Sequence, residues 1–388
     1  MQGVAITGLG IVSGLGLGTP AHSDALRVGR SGLRALTLFS LPGLPALPVG
    51  EVDADLVRDS RPARSIALAL LAAREAAGKA MPSGHGVLAV GTTTGGILES
   101  EQHYLRHHGE EGALDRESLR YHPAGATADV LASELGLSGE RHTFSTACSS
   151  SANAIGYGAT RVQQGAPWAL AGGVDSLCRV TYAGFHALKL LSPEPCRPFD
   201  KARHGLSLGE GAAFLLLEDE QRARRRGAAI LGFVAGWGCS ADAYHMTAPH
   251  PEGLGAVAAM EAALSDAGLK PSAVDYVNAH GTATLANDRA EGLALGALFK
   301  APGPLVSSTK GATGHTLGAA GAMEAVFCAL ALSTGFVPYT LGLSEPDAAF
   351  PLRHVPRGGV DVSLNVAMSN SFGFGGNNAS LLFRREAK

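Results

Sequence analysis

Phe144-Ser145-Thr146-Ala147-Cys148-Ser149-Ser150-Ser151-Ala152-Asn153 is the stretch on which the reading of this chain turns. A short β-prone run ends at Thr146. The residues after Cys148 suit a helix start, and the small-residue helix that follows is expected to reach Gln164, with Gly165 as its stop. This order predicts a thiol at a helix N-terminus. Unpaired backbone N–H groups and the positive end of the helix dipole favour the thiolate there, and the thiolate is the nucleophilic form. A cysteine among small residues can equally be a buried small hydrophobe, so the rest of the chain has to decide.

Composition narrows the field. With 388 residues, 46% hydrophobic and 17% charged, the chain can bury a large core in two domains or one large duplicated one. A formal charge of −3 argues against a nucleic-acid binder, which needs clustered phosphate-neutralising charge. The one basic run, Arg222 to Arg226, is expected to cap a helix or face solvent. The five cysteines (148, 178, 196, 239 and 328) form no Cys-x-x-Cys pair, so neither a zinc site nor a disulfide framework is expected. Met1-Gln2-Gly3 leads directly into the strand-like Val4-Ala5-Ile6-Thr7, without the regions of a leader, and no apolar run approaches the roughly 18 residues of a membrane span. The expectation is a soluble cytoplasmic protein without membrane insertion.

Outward from Cys148, buried strands alternate with helices. Strands are expected at Val4 to Gly10, Val87 to Gly91, Trp168 to Gly172 and Ala212 to Leu217, with helices from Ser60-Arg61-Pro62 to Ala77 and from Pro123 to Leu135. Gly14-Leu15-Gly16-Leu17-Gly18 lacks both the Lys-Ser/Thr ending and the dinucleotide spacing, so it reads as a turn. From about residue 228 the order begins again, which predicts a duplicated α/β protein with halves 1–227 and 228–388 and a mainly parallel sheet covered on both faces.

Three further segments run from an apolar strand into a glycine-rich polar loop: Val277-Asn278-Ala279-His280-Gly281-Thr282-Ala283-Thr284, Ser307-Ser308-Thr309-Lys310-Gly311-Ala312-Thr313-Gly314-His315, and Met368-Ser369-Asn370-Ser371-Phe372-Gly373-Phe374-Gly375-Gly376-Asn377-Asn378. The carboxyl ends of strands in parallel α/β sheets form the ligand crevice, so a thiol, two histidines, a lysine and a glycine-rich backbone loop can share one pocket.

With these motifs the chain resembles the decarboxylating β-ketoacyl-[acyl carrier protein] synthases, the elongating condensing enzymes of thiolase fold. The resemblance runs from Val4 to Gly376 and includes Thr146-Ala147-Cys148, Asn278-Ala279-His280-Gly281-Thr282, Lys310 five residues before His315, and Asp242-Ala243-Tyr244-His245-Met246-Thr247. It implies a duplicated five-layered α-β-α-β-α architecture. It also implies that Cys148 accepts an acyl group from a carrier-protein thioester, with the Cys148 and Phe374 N–H groups as oxyanion hole. His280 and His315 would face a malonyl thioester and donate to the enolate left by loss of carbon dioxide. Lys310 and Glu324 match the family's charged pair, the cation lying near His315 and keeping it neutral. Thr247, Thr282 and Thr284 match positions on the phosphopantetheine arm, Phe372 is a further substrate-binding position, and Phe374 matches the gate. Thr94 falls where the family lines its acyl pocket, which would fit a shorter or more polar chain. Cys148, His280 and His315 together separate the chain from initiating enzymes, which pair cysteine with His and Asn.

The resemblance implies no cofactor of the chain's own, because phosphopantetheine arrives on the carrier, and no metal. The implied partners are acyl carrier protein and a second subunit, in a homodimer or in a heterodimer with a chain-length partner. Carrier proteins are acidic, and Arg61, Arg64, Arg116 and Arg120 are candidates for a basic rim. Two alternatives stand beside the condensing reading: a thiolase-like acyltransferase or hydrolase using Cys148, and a scaffolding subunit. The chain departs from the family pattern at Leu285-Ala286-Asn287-Asp288, His204-Gly205-Leu206-Ser207 and Asn377, which bears on loop conformation and chain length.

Overall fold

The computed structural model describes residues 4–57, 63–78, 81–107 and 119–386. In the first half the strands are β1 (Val4–Ser13), β2 (Gly16–Leu17), β3 (Leu33–Ala35), β4 (Pro48–Gly50), β5 (Gly86–Gly91), β6 (Gly139–Phe144), β7 (Trp168–Asp175) and β8 (Gly211–Asp219). The second half adds β9 (Gly232–Ala241), β10 (Tyr276–Asn278), β11 (Leu305–Ser307), β12 (Phe336–Val337), β13 (Val360–Asp361), β14 (Val366–Gly373) and β15 (Asn377–Arg384).

The main sheet runs β11-β10-β14-β15-β9-β1-β8-β7-β5-β6. Read inward from either edge, each half has the same order when the strands on this path are numbered along the chain: its third, then its second, fourth, fifth and first. The two first strands, β1 and β9, meet antiparallel at the centre over Val4↔Val234 to Ile6↔Gly232. The expected parallel character holds only toward the edges, where β5 pairs with β6 and β7, and β10 with β11 and β14. Nearer the centre the strands are antiparallel, so the sheet is mixed. The physical reason in the second half is plain: Phe374–Gly376 is too short to cross over, so β14 and β15 form a hairpin.

Hydrophobic burial orders the layers. The helices Ser150–Gln163 and Ala320–Thr334 lie between the half-sheets and share one core with residues of both. Helix Arg64–Ala77 with Ala126–Glu134 covers the outer face of the first half-sheet, and Leu254–Ala267 with Leu285–Leu298 covers that of the second. The result is the five-layered α-β-α-β-α arrangement of a thiolase-like α/β fold.

Several local expectations change. The segment Leu317–Thr334 is long and apolar enough, by length and composition, to cross a membrane, contrary to the sequence reading; it is 83% buried inside the protein and includes Glu324, as befits a core helix. Arg64 cannot belong to a basic rim, because it is buried and its guanidinium is held by Glu210 and the Val52 carbonyl. Arg61 and Arg116, like the expected helix start at Ser60, lie outside the described residues. The Gly14–Gly18 stretch is the turn from β1 through β2 into helix Gly18–Arg27.

Candidate active site

The turn after β6 is held by the residues that follow the cysteine. Ala147 adopts a left-handed φ of 53°. Ser150 Oγ accepts from the Thr146 N–H at 2.9 Å and donates to the Ala147 carbonyl at 2.6 Å, while Ser149 Oγ donates to the Thr146 carbonyl at 2.8 Å. Asn153 Nδ2 donates to Thr146 Oγ1 at 2.9 Å. The small polar run thus fixes a sharp bend that presents Cys148 two residues before the first helical residue, Ser150.

Cys148 is 6% exposed, and its sulfur meets groups from the other half of the chain. His315 Nε2 lies 3.0 Å from Sγ, and the Phe374 backbone N–H donates to it. At Gly373, a Cβ would come within 3.0 Å of the Cys148 nitrogen, so a glycine lets the end of β14 approach the turn this closely. Burial pushes the Cys148 thiol up to about 12, against the pull of the Lys310 charge and the Phe374 N–H. The thiolate expected from the helix terminus is therefore not the resting form: desolvation outweighs the dipole.

His280 follows β10, and its ring stands 5.2 Å from that of His315 at 85°. Lys310 Nζ lies 3.3 Å from His280 Nδ1 and forms an ion pair with Glu324. An ammonium can only donate, so His280 Nδ1 accepts and the ring proton sits on Nε2. His315 is fixed in the same form, since the Leu317 N–H donates to its Nδ1 at 3.3 Å. Burial first, and then the Lys310 charge, hold both imidazoles well below their ordinary value and hence neutral. The sequence reading placed the cation beside His315; the direct contact is to His280, while its field reaches both. Burial raises the Glu324 carboxyl to about 7 against the opposing pull of Lys310.

Cys148, His280 and His315 bring three ligand atoms within 4.8 Å of one another, a spacing a metal could bridge. The surroundings do not fit one. A metal on Nε2 requires the proton on Nδ1 and an acceptor facing it, whereas these Nδ1 atoms face an ammonium and an N–H.

A cavity of about 340 Å³ opens from this centre. Cys148, His280, His315, Thr247, Thr282, Thr284, Phe372 and Phe374 all line it, with exposed His204, Leu188 and Leu285 at its mouth. Phe372 packs its ring 5.9 Å from that of His280, and Phe374 stacks 5.4 Å from Phe185. Thr282 and Thr284 share a hydroxyl hydrogen bond of 2.9 Å, and Thr284 also caps helix Leu285–Leu298. Asn377 donates to the Phe374 carbonyl at 3.0 Å, so this departure from the family pattern braces the final loop.

Thr94 does not join the group. It is buried outside the cavity, and its hydroxyl donates to Asp175 at 2.9 Å. Two carboxylates behind the centre were not legible in the sequence. Glu291 accepts from the His280 and Gly281 N–H groups, both at 2.8 Å, and Asp175 gathers the loop around Thr94. Each acts on residues that are distant in the chain or on backbone groups, which leaves no local motif.

Comparison with known proteins gives a consistent result. The models of the beta-ketoacyl synthase N-terminal and C-terminal domains match residues 1–223 and 231–344. The chain is 38% identical over 427 aligned positions to 3-oxoacyl-[acyl-carrier-protein] synthase 2 of Rhizobium meliloti (strain 1021), covering 99% of each. Among solved structures, the ishigamide ketosynthase/chain length factor matches with a TM-score of 0.93 and 34% identity over 100% of both chains. The ketosynthase ApeO in complex with its chain length factor ApeC, from Xenorhabdus doucetiae, matches with a TM-score of 0.88 and 34% identity over 99% of this chain and 98% of that one.

Proposed function

The chain belongs to the beta-ketoacyl synthase family, and from that premise we propose that Cys148, His280 and His315 carry out the decarboxylative condensation of a malonyl-carrier thioester with an acyl chain held on Cys148. The product is a 3-oxoacyl-carrier thioester. The observation that carries this assignment is the pair of imidazoles whose Nδ1 atoms face donors, so that each carries its proton on Nε2, in a cluster with the thiol that His315 Nε2 meets at 3.0 Å.

In the first half-reaction Cys148 Sγ attacks the acyl thioester carbonyl, and its proton passes to the departing pantetheine sulfur. The oxyanion is held by the backbone N–H groups of Cys148 and Phe374. Malonyl thioester then enters the cavity past Thr247, Thr282 and Thr284. Its carboxylate leaves as carbon dioxide, and the electron pair moves onto the thioester oxygen as an enolate, held by the two Nε2–H donors. The α-carbon attacks the Cys148 thioester, a new C–C bond forms, and the C–S bond breaks. The released thiolate is stabilised by His315 and the Phe374 N–H until it regains a proton from water. Lys310 keeps His280 neutral and in the donor tautomer, and Glu324 compensates the buried ammonium.

Phosphopantetheine reaches this site on a carrier protein. The second subunit belongs to the same proposal, and the match to a ketosynthase/chain length factor structure favours a heterodimer over a homodimer. A cytoplasmic location agrees with the five free cysteines. We take the duplicated halves as 1–227 and 228–388, a division supported by the repeated strand order.

Purified protein incubated with an acyl carrier primer and malonyl carrier protein, followed by intact-mass spectrometry, tests the assignment. An acyl adduct on the enzyme and a 3-oxoacyl product on the carrier, both missing in Cys148→Ala, are expected. An adduct that only hydrolyses would instead identify an acyltransferase or hydrolase.

A further inference from the structure

Asp175, the last residue of β7, is fully buried beside the catalytic centre, yet the chemistry above does not use it. Its Oδ1 accepts from Thr92 Oγ1 at 2.7 Å, the Thr94 N–H at 2.8 Å and Thr94 Oγ1 at 2.9 Å. The Thr93 N–H reaches both oxygens, at 2.9 and 3.0 Å. Oδ2 also accepts from the Gly318 N–H at 2.7 Å, across 143 residues of chain. Gly318 follows Leu317, whose own N–H orients His315.

The fit is close enough to require glycine. A Cβ at position 318 would lie 2.8 Å from Asp175 Oδ2 and 2.9 Å from the Thr93 nitrogen. Leu317, between the two turns, is held at a left-handed φ of 53°, a conformation a leucine adopts only when its surroundings impose it. On the other side, Thr93 Oγ1 donates to the Ala147 carbonyl at 3.4 Å, which links the same cluster to the turn carrying Cys148. One carboxylate therefore ties two turns from separate parts of the sequence directly and, through Thr93, reaches the turn that carries Cys148.

We propose that Asp175 is a positioning residue for the condensation, locking the turn that carries His315 to the threonine turn 92–94 so that the His315 Nε2–H stays on the Cys148 sulfur. This rests on the condensing reading given above. It assigns Thr94 to the clamp rather than to the wall of the acyl pocket. The Asp175 charge also opposes ionisation of Cys148, whose ordinary value it helps to raise. Position and charge can therefore be separated by two substitutions.

Asp175→Asn removes the charge and places an NH2 group where either the Gly318 N–H or the Thr94 N–H points, since the two donate to different carboxylate oxygens. Gly318→Ala pushes the His315 turn off the carboxylate and leaves the charge in place. Three quantities are measured on each variant: kcat and KM for the malonyl thioester, the rate at which iodoacetamide alkylates the Cys148 peptide at about pH 8 by mass spectrometry, and the thermal melt. A clamp predicts that kcat falls about 100-fold in both variants, the loss expected for ångström-scale misplacement, with KM little changed. Alkylation of Cys148 speeds up in Asp175→Asn only, because only there is an anion lost. Wild-type kcat in Gly318→Ala overturns the proposal. So does a loss of activity in both variants that only follows the folded fraction. If Asp175→Asn fails to fold, Gly318→Ala decides through kcat and KM. Wild-type protein that forms no condensation product, with the alkylation difference intact and acyl transfer to Cys148 slowed in both variants, would remove the condensing assignment and leave the clamp standing.

Discussion

Lys310 is the residue on which the chemistry of the site depends most, although it need not touch substrate. Its ammonium sets the tautomer of His280 and keeps both imidazoles neutral, so both can donate to a developing enolate oxygen. Removing one such donor costs about 100- to 1,000-fold in kcat. His280→Ala is accordingly expected to lose that much in condensation while acylation of Cys148 persists, since the thiol keeps His315 and the Phe374 N–H. Stopped-flow acylation against steady-state condensation separates the two. The pH dependence follows from the same shifts. The active imidazoles are neutral, and their values lie well below the ordinary one, so kcat for condensation should not fall as pH drops through 6.5. In Lys310→Met the cation that depresses His280 is gone, and the acid limb should move upward in pH. A profile that falls at about pH 6.5 in wild type would contradict the assignment of neutral donors. The sequence placed the Lys310 charge near His315, which its field does reach, but not its direct contact with His280, because which Nδ1 it meets depends on how the loops after β10 and β11 cross.

At the scale of elements, the helix Ser150–Gln163 shows why small residues follow the cysteine. It lies between the half-sheets, and Gly156 faces the Trp237 ring so closely that a Cβ would come within 2.3 Å of it. Trp237 Nε1 donates to Thr160 Oγ1 at 3.0 Å, one helical turn further on. Gly156→Ala gains up to about 1 kcal/mol of helix propensity. It also forces the indole aside and breaks that hydrogen bond, and overpacking of this kind costs about 1–3 kcal/mol. A net destabilisation of about 1 kcal/mol is expected in urea unfolding, with Trp237→Phe relieving part of it. The neighbouring core helix follows the same rule: at Gly321 a Cβ would lie 2.8 Å from that of Ala152, so the helix that follows Cys148 and the helix carrying Glu324 meet through glycine and alanine. Much of this order was readable in advance. The helix stops at Gly78 and Gly165 follow from helical runs ending in glycine and the strands at Val87, Trp168 and Ala212 from short apolar runs, and the structure has them within a few residues. Strand direction was not readable, because β7 and β8 look alike in sequence whether they run parallel or antiparallel.

For the molecule as a whole, the site lies at the seam of two similar halves: Cys148 comes from the first, and His280, His315 and Phe374 from the second. Stability is also a property of the whole, and His354 offers a test of it. Among the described residues neither of its buried ring nitrogens has a hydrogen-bond partner, its ring lies 5.6 Å from Phe199, and burial lowers its pKa to about 4. A histidine with a lowered folded value contributes stability that is present above the unfolded value of about 6.5 and is lost as pH falls toward 4. His354→Leu removes that liability. It is expected to be about 1 kcal/mol more stable than wild type at pH 7, with the gap in melting temperature widening between pH 6.5 and 4. Glu291 and Glu324, raised to about 7 by burial, act with the opposite sign over an overlapping window. The difference between variant and wild type isolates the histidine. Sequence by itself determined the α/β class and singled out the repeated element order, Cys148 and the two histidines proposed for the chemistry, because periodicity, glycine stops and short motifs are local properties of the chain. Only the tertiary structure decided that the thiol rests protonated, that Lys310 meets His280, that Arg64 is buried, and that Thr94 belongs to Asp175. Those outcomes depend on desolvation and on contacts between residues far apart in the chain, such as Arg64 and Glu210, 146 positions apart, and neither is encoded in any one stretch.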